Sequence, residues 1–334
     1  MSDKKPSHPI RSIVTLVISV AIFVCAGWLF LNRQYAIDQV SVWAYQAPAN
    51  IEAIEERVAF TDKGKFYFYA TQPVVNDADG FNQNCPRQET GSPVLGCYAM
   101  GRIYVYDITN EQLDGMEEVT AAHEMLHAVW ERQSESEKAR IGALLETAYQ
   151  TMGDAELKTR MDYYKRTEPG EFQNELHSIL GTEMPNLGTE LETYYAKYFK
   201  DRQVVLGLHA QYSSVFQGLQ NQADALFLQL EALGTNIETR TTQYNSDIAQ
   251  LSADIQAFNE RATNGGFDSQ VQFNRERAAL VARTDTLGNE RDAINADIET
   301  YKSKYDEYQT VASQIEILNK SIDSFTTLDP APSL

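Results

Sequence analysis

Apolar residues recur at every seventh position over a long stretch near the C-terminus. The positions are Phe273, Leu280, Leu287, Ile294, Tyr301, Tyr308, Ile315 and Ile322. A helix with this repeat carries a continuous apolar seam, which must be buried against another helix. A similar repeat with one interruption occupies residues 230–258, and a turn signal at Thr263–Phe267 separates the two stretches. We therefore predict an antiparallel coiled-coil hairpin over residues 203–326, followed by a tail at 327–334.

The apolar seam can be buried in two ways. The two arms can pack on each other within one chain, or the same seam can bind a coiled-coil partner or form a homodimer. The spacing is compatible with both arrangements.

The N-terminal segment has a different composition. Ile13 to Leu31 contains no charged side chain, and as a helix it would span about 28 Å, close to the thickness of a hydrocarbon core. Lys4, Lys5 and Arg11 precede it, so the positive-inside rule places residues 1–11 in the cytoplasm and the chain after a span at 12–32 outside. A cleaved signal peptide is the alternative. The length of the run and the lack of a small-x-small cleavage site favour an uncleaved anchor.

Charge and cysteine usage restrict the class of protein further. The formal net charge is −19, and the chain has neither a basic stripe nor a phosphate-cradling glycine loop, so a nucleic-acid partner is not expected. Outside the apolar segment the cysteines are Cys85 and Cys97. In an oxidising compartment they should form a disulfide, whereas a role as thiolate metal ligands would need further ligands nearby.

The segment HEMLH at residues 123–127 contains candidate metal ligands and a candidate general base. Residues 116–132 lack proline and glycine and are good helix formers, so His123 and His127 should lie on one face of a helix. Two imidazoles at this spacing can hold one Zn²⁺, and Glu124 can act as a general base. Two histidines and a glutamate on a surface helix would be the alternative without a metal. The same helix also carries a core-facing stripe of Val119, Ala122, Leu126 and Val129.

A zinc site needs a third protein ligand. A third histidine of the metzincin type is missing, because Trp130 and Gln133 occupy the positions that would hold its glycine and histidine. A gluzincin instead takes a glutamate from a later helix, and Glu171 and Glu175 share one face of such a helix. Both carboxylates therefore remain candidates, one as ligand and the other as hydrogen-bond acceptor for a ligating histidine.

The spacing of Tyr164, Glu171 and Glu175 after HExxH resembles that of the anthrax lethal-factor-like gluzincins, over about residues 115–200. The resemblance implies a zincin peptidase with His123, His127 and Glu171 as zinc ligands and Glu124 as base. It also implies Tyr164 as a phenol donor to the oxyanion. The Asn-Glu-Leu-His segment at 174–177 departs from that pattern and keeps Glu175 open as the third ligand.

Two aromatic segments predict strands in the same region. Residues 65–71 and 101–108 are rich in tyrosine, phenylalanine and β-branched residues. The second directly precedes the HExxH helix, and we expect it to form an edge strand that can bind a substrate backbone. Helices are expected elsewhere between 35 and 200. The fold class is therefore α+β: a transmembrane helix, a small, mostly helical zincin-like domain at 35–200 with a short sheet, and the hairpin.

These observations favour a membrane-anchored, extracytoplasmic zinc metallopeptidase that acts on proteins or peptides. The alternative belongs to another class: a non-catalytic coiled-coil spacer or docking protein on the cell surface, with a degenerate or structural zincin domain.

Overall fold

The computed structural model describes residues 9–86, 93–168 and 170–325. The predicted tail at 327–334 and residues 1–8 of the predicted cytoplasmic segment lie outside the described residues. The chain divides into an N-terminal unit, Met1–Ser214 with Asn319–Leu334, and a hairpin unit, Val215–Leu318.

The first helix, α1, covers Pro9–Leu31. Its part Ile13–Leu31 has a mean hydropathy of 2.6 and none of it is buried in the protein. This helix is therefore long and apolar enough to cross a membrane, although a signal sequence can have the same length and composition.

The rest of the N-terminal unit is mostly helical. Its helices are α2 (Arg33–Ala44), α3 (Ala49–Val58), α4 (Asp62–Ala70), α5 (Ala78–Asn82), α6 (Met116–Glu131), α7 (Glu135–Met152), α8 (Ala155–Thr167), α9 (Phe172–Glu183), α10 (Thr189–Tyr195) and the first turns of α11 (Arg202–Thr263).

A three-stranded sheet completes this unit. Its strands are β1 (Val74–Asn76), β2 (Gly96–Ala99) and β3 (Arg102–Tyr106), in the order β1-β3-β2. β3 pairs in parallel with β1 and antiparallel with β2. The strand predicted at 101–108 is thus confirmed as β3, but the prediction that it is an edge strand is wrong, because it lies between the other two. The edge strand next to α6 is β2.

The prediction of a strand at 65–71 is also wrong, because residues 65–70 belong to α4. Thr61 caps the helix by accepting a hydrogen bond from the backbone N–H of Gly64. Helical spacing turns Phe68 into the core, where it contacts Phe60, while Phe66 stacks on Tyr35 of α2. Packing on two sides therefore outweighs the β propensity of the aromatic run.

Helix α6 is the centre of the core. The predicted stripe of Val119, Ala122, Leu126 and Val129 is buried, with at most 3% of any of these side chains exposed. α9 packs closely on this face because Gly181 has no side chain: a Cβ there would collide with Leu126 and with Tyr195.

The disulfide predicted between Cys85 and Cys97 is present. It links the segment after α5 to β2, the strand that lies beside α6. The strand is therefore held covalently as well as by its pairing with β3.

The hairpin unit consists of the remainder of α11 and of α12 (Gln270–Ser321). Three arginines form ion pairs between the helices: Arg240 with Glu290 and Asp297, Arg261 with Glu276, and Arg283 with Asp254. These pairings mean that the two helices run antiparallel. The heptad residues Leu287 and Ile294 are buried, so the predicted seam is covered within one chain.

A buried ion pair joins α2 to the end of α6. The guanidinium of Arg132 donates to both carboxylate oxygens of Asp38 at 2.8 Å, and the two side chains are 6% and 3% exposed. Asp38→Ala leaves the arginine buried without its partner, and we expect the free energy of unfolding to fall by about 3–5 kcal/mol. Urea unfolding of the full chain in detergent measures this loss.

A matched control is Asp162→Asn, which removes an ion pair with Lys158 on the surface of α8. The side chains of Asp162 and Lys158 are 46% and 68% exposed, so solvent screens the pair and the expected loss is much smaller than that of Asp38→Ala. Equal losses in the two variants would contradict the assignment of Asp38 as a buried structural partner.

Candidate metal centre

His123 and His127 lie one turn apart on α6, with their ring centroids 4.8 Å apart. The side chains are 14% and 10% exposed, so each ring has most of its surface against protein. One ring nitrogen of each lies within 4.8 Å of the other, so the predicted placement of both imidazoles on one face of the helix is confirmed.

Glu175 on α9 completes the group. Its carboxylate oxygens lie 3.4 Å from Nε2 of His127 and 3.8 Å from Nε2 of His123, and one ligand atom from each of the three residues lies within 4.8 Å of the others. Ligands about 2.0–2.1 Å from a tetrahedral zinc ion would be ~3.4 Å apart. The three side chains could therefore hold a metal ion.

The structure does not bring Glu171 to the histidines. Glu171 is the residue before α9, its side chain is exposed, and its carboxylate accepts a hydrogen bond from Nδ2 of Asn174 at 2.9 Å. Glu175 lies one turn further along, on the face that packs against α6, and is 6% exposed. The third position predicted for Glu171 is thus occupied by the alternative, Glu175, because α9 begins too late to place Glu171 against α6.

Asn174 connects Glu171 to His127, a role that was not predicted from the sequence. Because its amide NH₂ donates to Glu171, its oxygen faces Nδ1 of His127 at 3.0 Å. A carboxamide oxygen can only accept, so Nδ1 of His127 carries the proton and Nε2 keeps its lone pair for a metal. The sequence did contain a signal for this role. Asn174 directly precedes Glu175, so a side chain that can accept a hydrogen bond from a histidine stands next to a candidate ligand.

Glu124 is buried between α6 and β2, and it is 6% exposed. Gly96 of β2 lies so close that a Cβ there would collide with Thr120 and Glu124. Burial raises the pKa of the Glu124 carboxyl to about 7; the carboxylates of Glu175 and Glu168 act in the same direction, and His127 opposes them. Glu124 can therefore exchange a proton near neutral pH.

Tyr164 lies on α8 and is partly buried beside the same group. Burial raises the pKa of its phenol above the usual value, the carboxylate of Glu175 adds to the rise, and Arg160 opposes it. The phenol thus stays protonated and can donate a hydrogen bond. The Glu175 carboxyl differs: burial raises its pKa, but His127 and His123 more than offset this, so its pKa is lowered overall.

His177 is a structural residue rather than a member of the metal group. It is fully buried, its Nε2 lies 2.9 Å from the hydroxyl of Tyr194, and its ring packs on Trp130. Burial lowers its pKa to about 3, so the ring is neutral.

Comparisons of this chain with family models, with curated proteins and with solved structures find no match.

The two candidate third ligands can be separated by metal binding. We expect Glu175→Gln to weaken Zn²⁺ binding by more than about 100-fold, Asn174→Ala by about 10- to 100-fold, and Glu171→Gln by less than either. The reason is that Glu175 points into the site, whereas Glu171 acts only through Asn174. Competition with a chromogenic chelator measures the affinities, and a larger loss in Glu171→Gln than in Glu175→Gln would reverse the assignment.

The burial of Glu124 predicts a pH dependence of stability in metal-free protein. Its carboxyl holds a proton up to about pH 7 when folded, but only to about 4.5 when exposed, so the folded state binds more protons between these values and loses stability as the pH rises. Glu124→Gln cannot ionise. Relative to wild type, it should gain stability progressively from pH 4.5 to 7, with a constant difference above pH 7.

Thermal unfolding of both proteins with a chelator present, between pH 4 and 8.5, measures this difference. A difference that does not change with pH would mean that the carboxyl of Glu124 titrates alike in the folded and unfolded chains.

Proposed function

We propose that the N-terminal unit is a zinc metallopeptidase of the gluzincin type, with His123, His127 and Glu175 as zinc ligands. The observation that carries this proposal is the convergence of two Nε2 atoms and one carboxylate on a common point, with Glu124 buried beside them. Two imidazoles and one carboxylate make a donor set that zinc accepts in hydrolytic sites, where a fourth position stays open. The hydrogen bond from His127 to Asn174 supports the same donor set.

Zinc, when bound, would supply Lewis-acid activation of water and of a peptide carbonyl. Glu124 would take the proton from the attacking water and pass it to the leaving amine. Its position suits both transfers, because Glu124 is buried beside the histidines between α6 and β2.

Tyr164 would donate its phenol proton in a hydrogen bond to the oxygen that becomes negative as the carbonyl is attacked. Its protonated state at neutral pH, which burial and the carboxylate of Glu175 maintain, favours this role over that of a base.

The substrate would be an extended polypeptide. β2 is an edge strand, and the backbone N–H of Tyr98 in this strand faces Glu124. A peptide added as a further strand at this edge would run along the face of α6 that carries Glu124.

We place this unit outside the cytoplasm, anchored by α1. The cations that precede the apolar run favour a cytoplasmic N-terminus, and the disulfide fits an oxidising compartment. The hairpin unit supports a second role, as a spacer or an arm that binds a partner, because Phe227 and Leu228 are 57% and 63% exposed on its surface.

The test uses the full chain in detergent with Zn²⁺ and an unfolded protein such as casein, and new amino termini are counted. We expect Glu124→Gln to lower kcat by about 10²- to 10⁴-fold and Tyr164→Phe by about 10²- to 10³-fold, with one zinc retained per chain. Tyr163→Phe, the neighbouring tyrosine on α8, is the control and should leave the rate unchanged.

Wild-type protein that is folded but binds no zinc would overturn the peptidase proposal and leave the hairpin arm as the functional part. Zinc binding with no hydrolysis of any unfolded protein would overturn the catalytic roles of Glu124 and Tyr164 but keep the metal site.

A further inference from the structure

Helix α8, which carries Tyr164, packs on the rest of the N-terminal unit by one face. Leu157 and Met161 are buried on this face, and Arg160 and Tyr164 share it by helical spacing. Apolar contacts have no preferred direction, so they stabilise the packing of α8 without fixing its rotation or its position along α9. An oxyanion donor needs a fixed position, because a displacement of about 1 Å can lower a rate about 100-fold.

Arg160 provides a directional contact one turn before Tyr164. Its guanidinium donates two hydrogen bonds to the carboxylate of Glu183, one from Nη1 to Oε2 at 2.6 Å and one from Nη2 to Oε1. This fork holds the arginine in one geometry, because both bonds form only when the two planar groups lie in register. Since Tyr164 lies one turn away on the same face, the fork also restricts rotation of the tyrosine around the axis of α8.

Glu183 is the last residue of α9, the helix that carries Glu175. Its side chain is 9% exposed. Burial raises the pKa of its carboxyl, but Arg160 and His209 more than offset this effect, so the pKa is lowered overall and the carboxylate is ionised at neutral pH. The arginine that precedes Tyr164 is therefore bound to the same helix as the proposed zinc ligand.

The first turns of α11 contact the same carboxylate. Nε2 of His209 lies 3.4 Å from Oε2 of Glu183, and the ring of His209 packs on that of Tyr212 with 5.2 Å between the centroids. Arg202 holds α11 to the end of α9, because its guanidinium donates to the backbone oxygen of Met184 at 2.8 Å. Glu183 thus has partners on both α8 and α11, which restrict the movement of its carboxylate.

We propose that Arg160 and Glu183 are positioning residues for Tyr164, and that they set the place of its phenol relative to the zinc ligands. The proposal rests on the peptidase function proposed above and adds to it two residues that act through Tyr164 rather than on the substrate. Without the fork, α8 would still pack on the unit through Leu157 and Met161, but it could rotate. The oxyanion would then lack its donor for part of the time.

Kinetics of the full chain in detergent, with Zn²⁺ and casein, test this role. We expect Arg160→Gln and Glu183→Gln to lower kcat about 10- to 100-fold. KM should change by less than about twofold, because the phenol binds the oxyanion of the transition state and not the substrate. Arg140→Gln is the matched control: it breaks an ion pair with Glu137 at 2.8 Å on α7, and kcat should not change.

A double-mutant cycle separates positioning of Tyr164 from general stabilisation of the unit. In the Tyr164→Phe background, Arg160→Gln should lower kcat by less than about twofold further, because the group that the arginine positions is already absent. If Arg160→Gln lowers kcat as much in this background as in the wild-type background, the proposal is overturned, since Arg160 would then act without Tyr164.

A second measurement does not depend on peptidase activity. In chain labelled with 3-fluorotyrosine, the ¹⁹F resonance of Tyr164 is the one that is missing from Tyr164→Phe. We expect this resonance to broaden or split in Arg160→Gln, because the ring samples more than one position, and to keep its line width in Arg140→Gln.

A single resonance of wild-type width in Arg160→Gln would overturn the positioning role, whether or not the chain hydrolyses casein. The peptidase function can fail separately: zinc-loaded wild type that does not hydrolyse casein would overturn that function, while broadening in Arg160→Gln would still support the fork as the contact that fixes Tyr164.

Discussion

The packing of α9 on α6 is the contact on which the candidate metal centre depends. Gly181 lets the two helices approach until Leu126 and Tyr195 fill the space where a side chain would stand. His127 follows Leu126 in α6, and Glu175 precedes the buried Leu176 in α9, so the metal-facing groups are neighbours of core residues. The same apolar contacts that stabilise the unit therefore also set the distances between the three candidate ligand atoms.

Contacts at the other side of α6 serve the proposed chemistry. β2 lies against Glu124, and three features hold it there: its pairing with β3, the disulfide to Cys85 and the hydrogen bond from Arg132 to the hydroxyl of Tyr98. Arg132 in turn binds Asp38 of α2, which follows the apolar helix directly. The buried guanidinium of Arg132 thus joins three elements: the helix with the histidines, the edge strand and the segment that follows the apolar helix.

Structural features that depend on local sequence patterns were predicted correctly. The apolar run, the heptad seam, the HExxH helix and the cysteine pair each depend on a periodicity or on residues close in sequence. The errors arose where packing outweighs local preference. Residues 65–71 have β propensity but form a helix, because Phe60, Tyr35 and Tyr198 supply partners on its faces. β3 was expected at an edge, yet β1, a three-residue strand with no clear pattern of its own, pairs with its outer side.

The sequence alone determined which residue types are available for a metal site. It also determined that the two histidines share a helical face, because residues four apart in a helix lie on the same side. It favoured Glu171 as the third ligand and kept Glu175, one turn further along, as the alternative. Only the tertiary structure decided between them, because α9 begins at Phe172 and packs on α6 with Glu175 facing the histidines, while Glu171 binds Asn174.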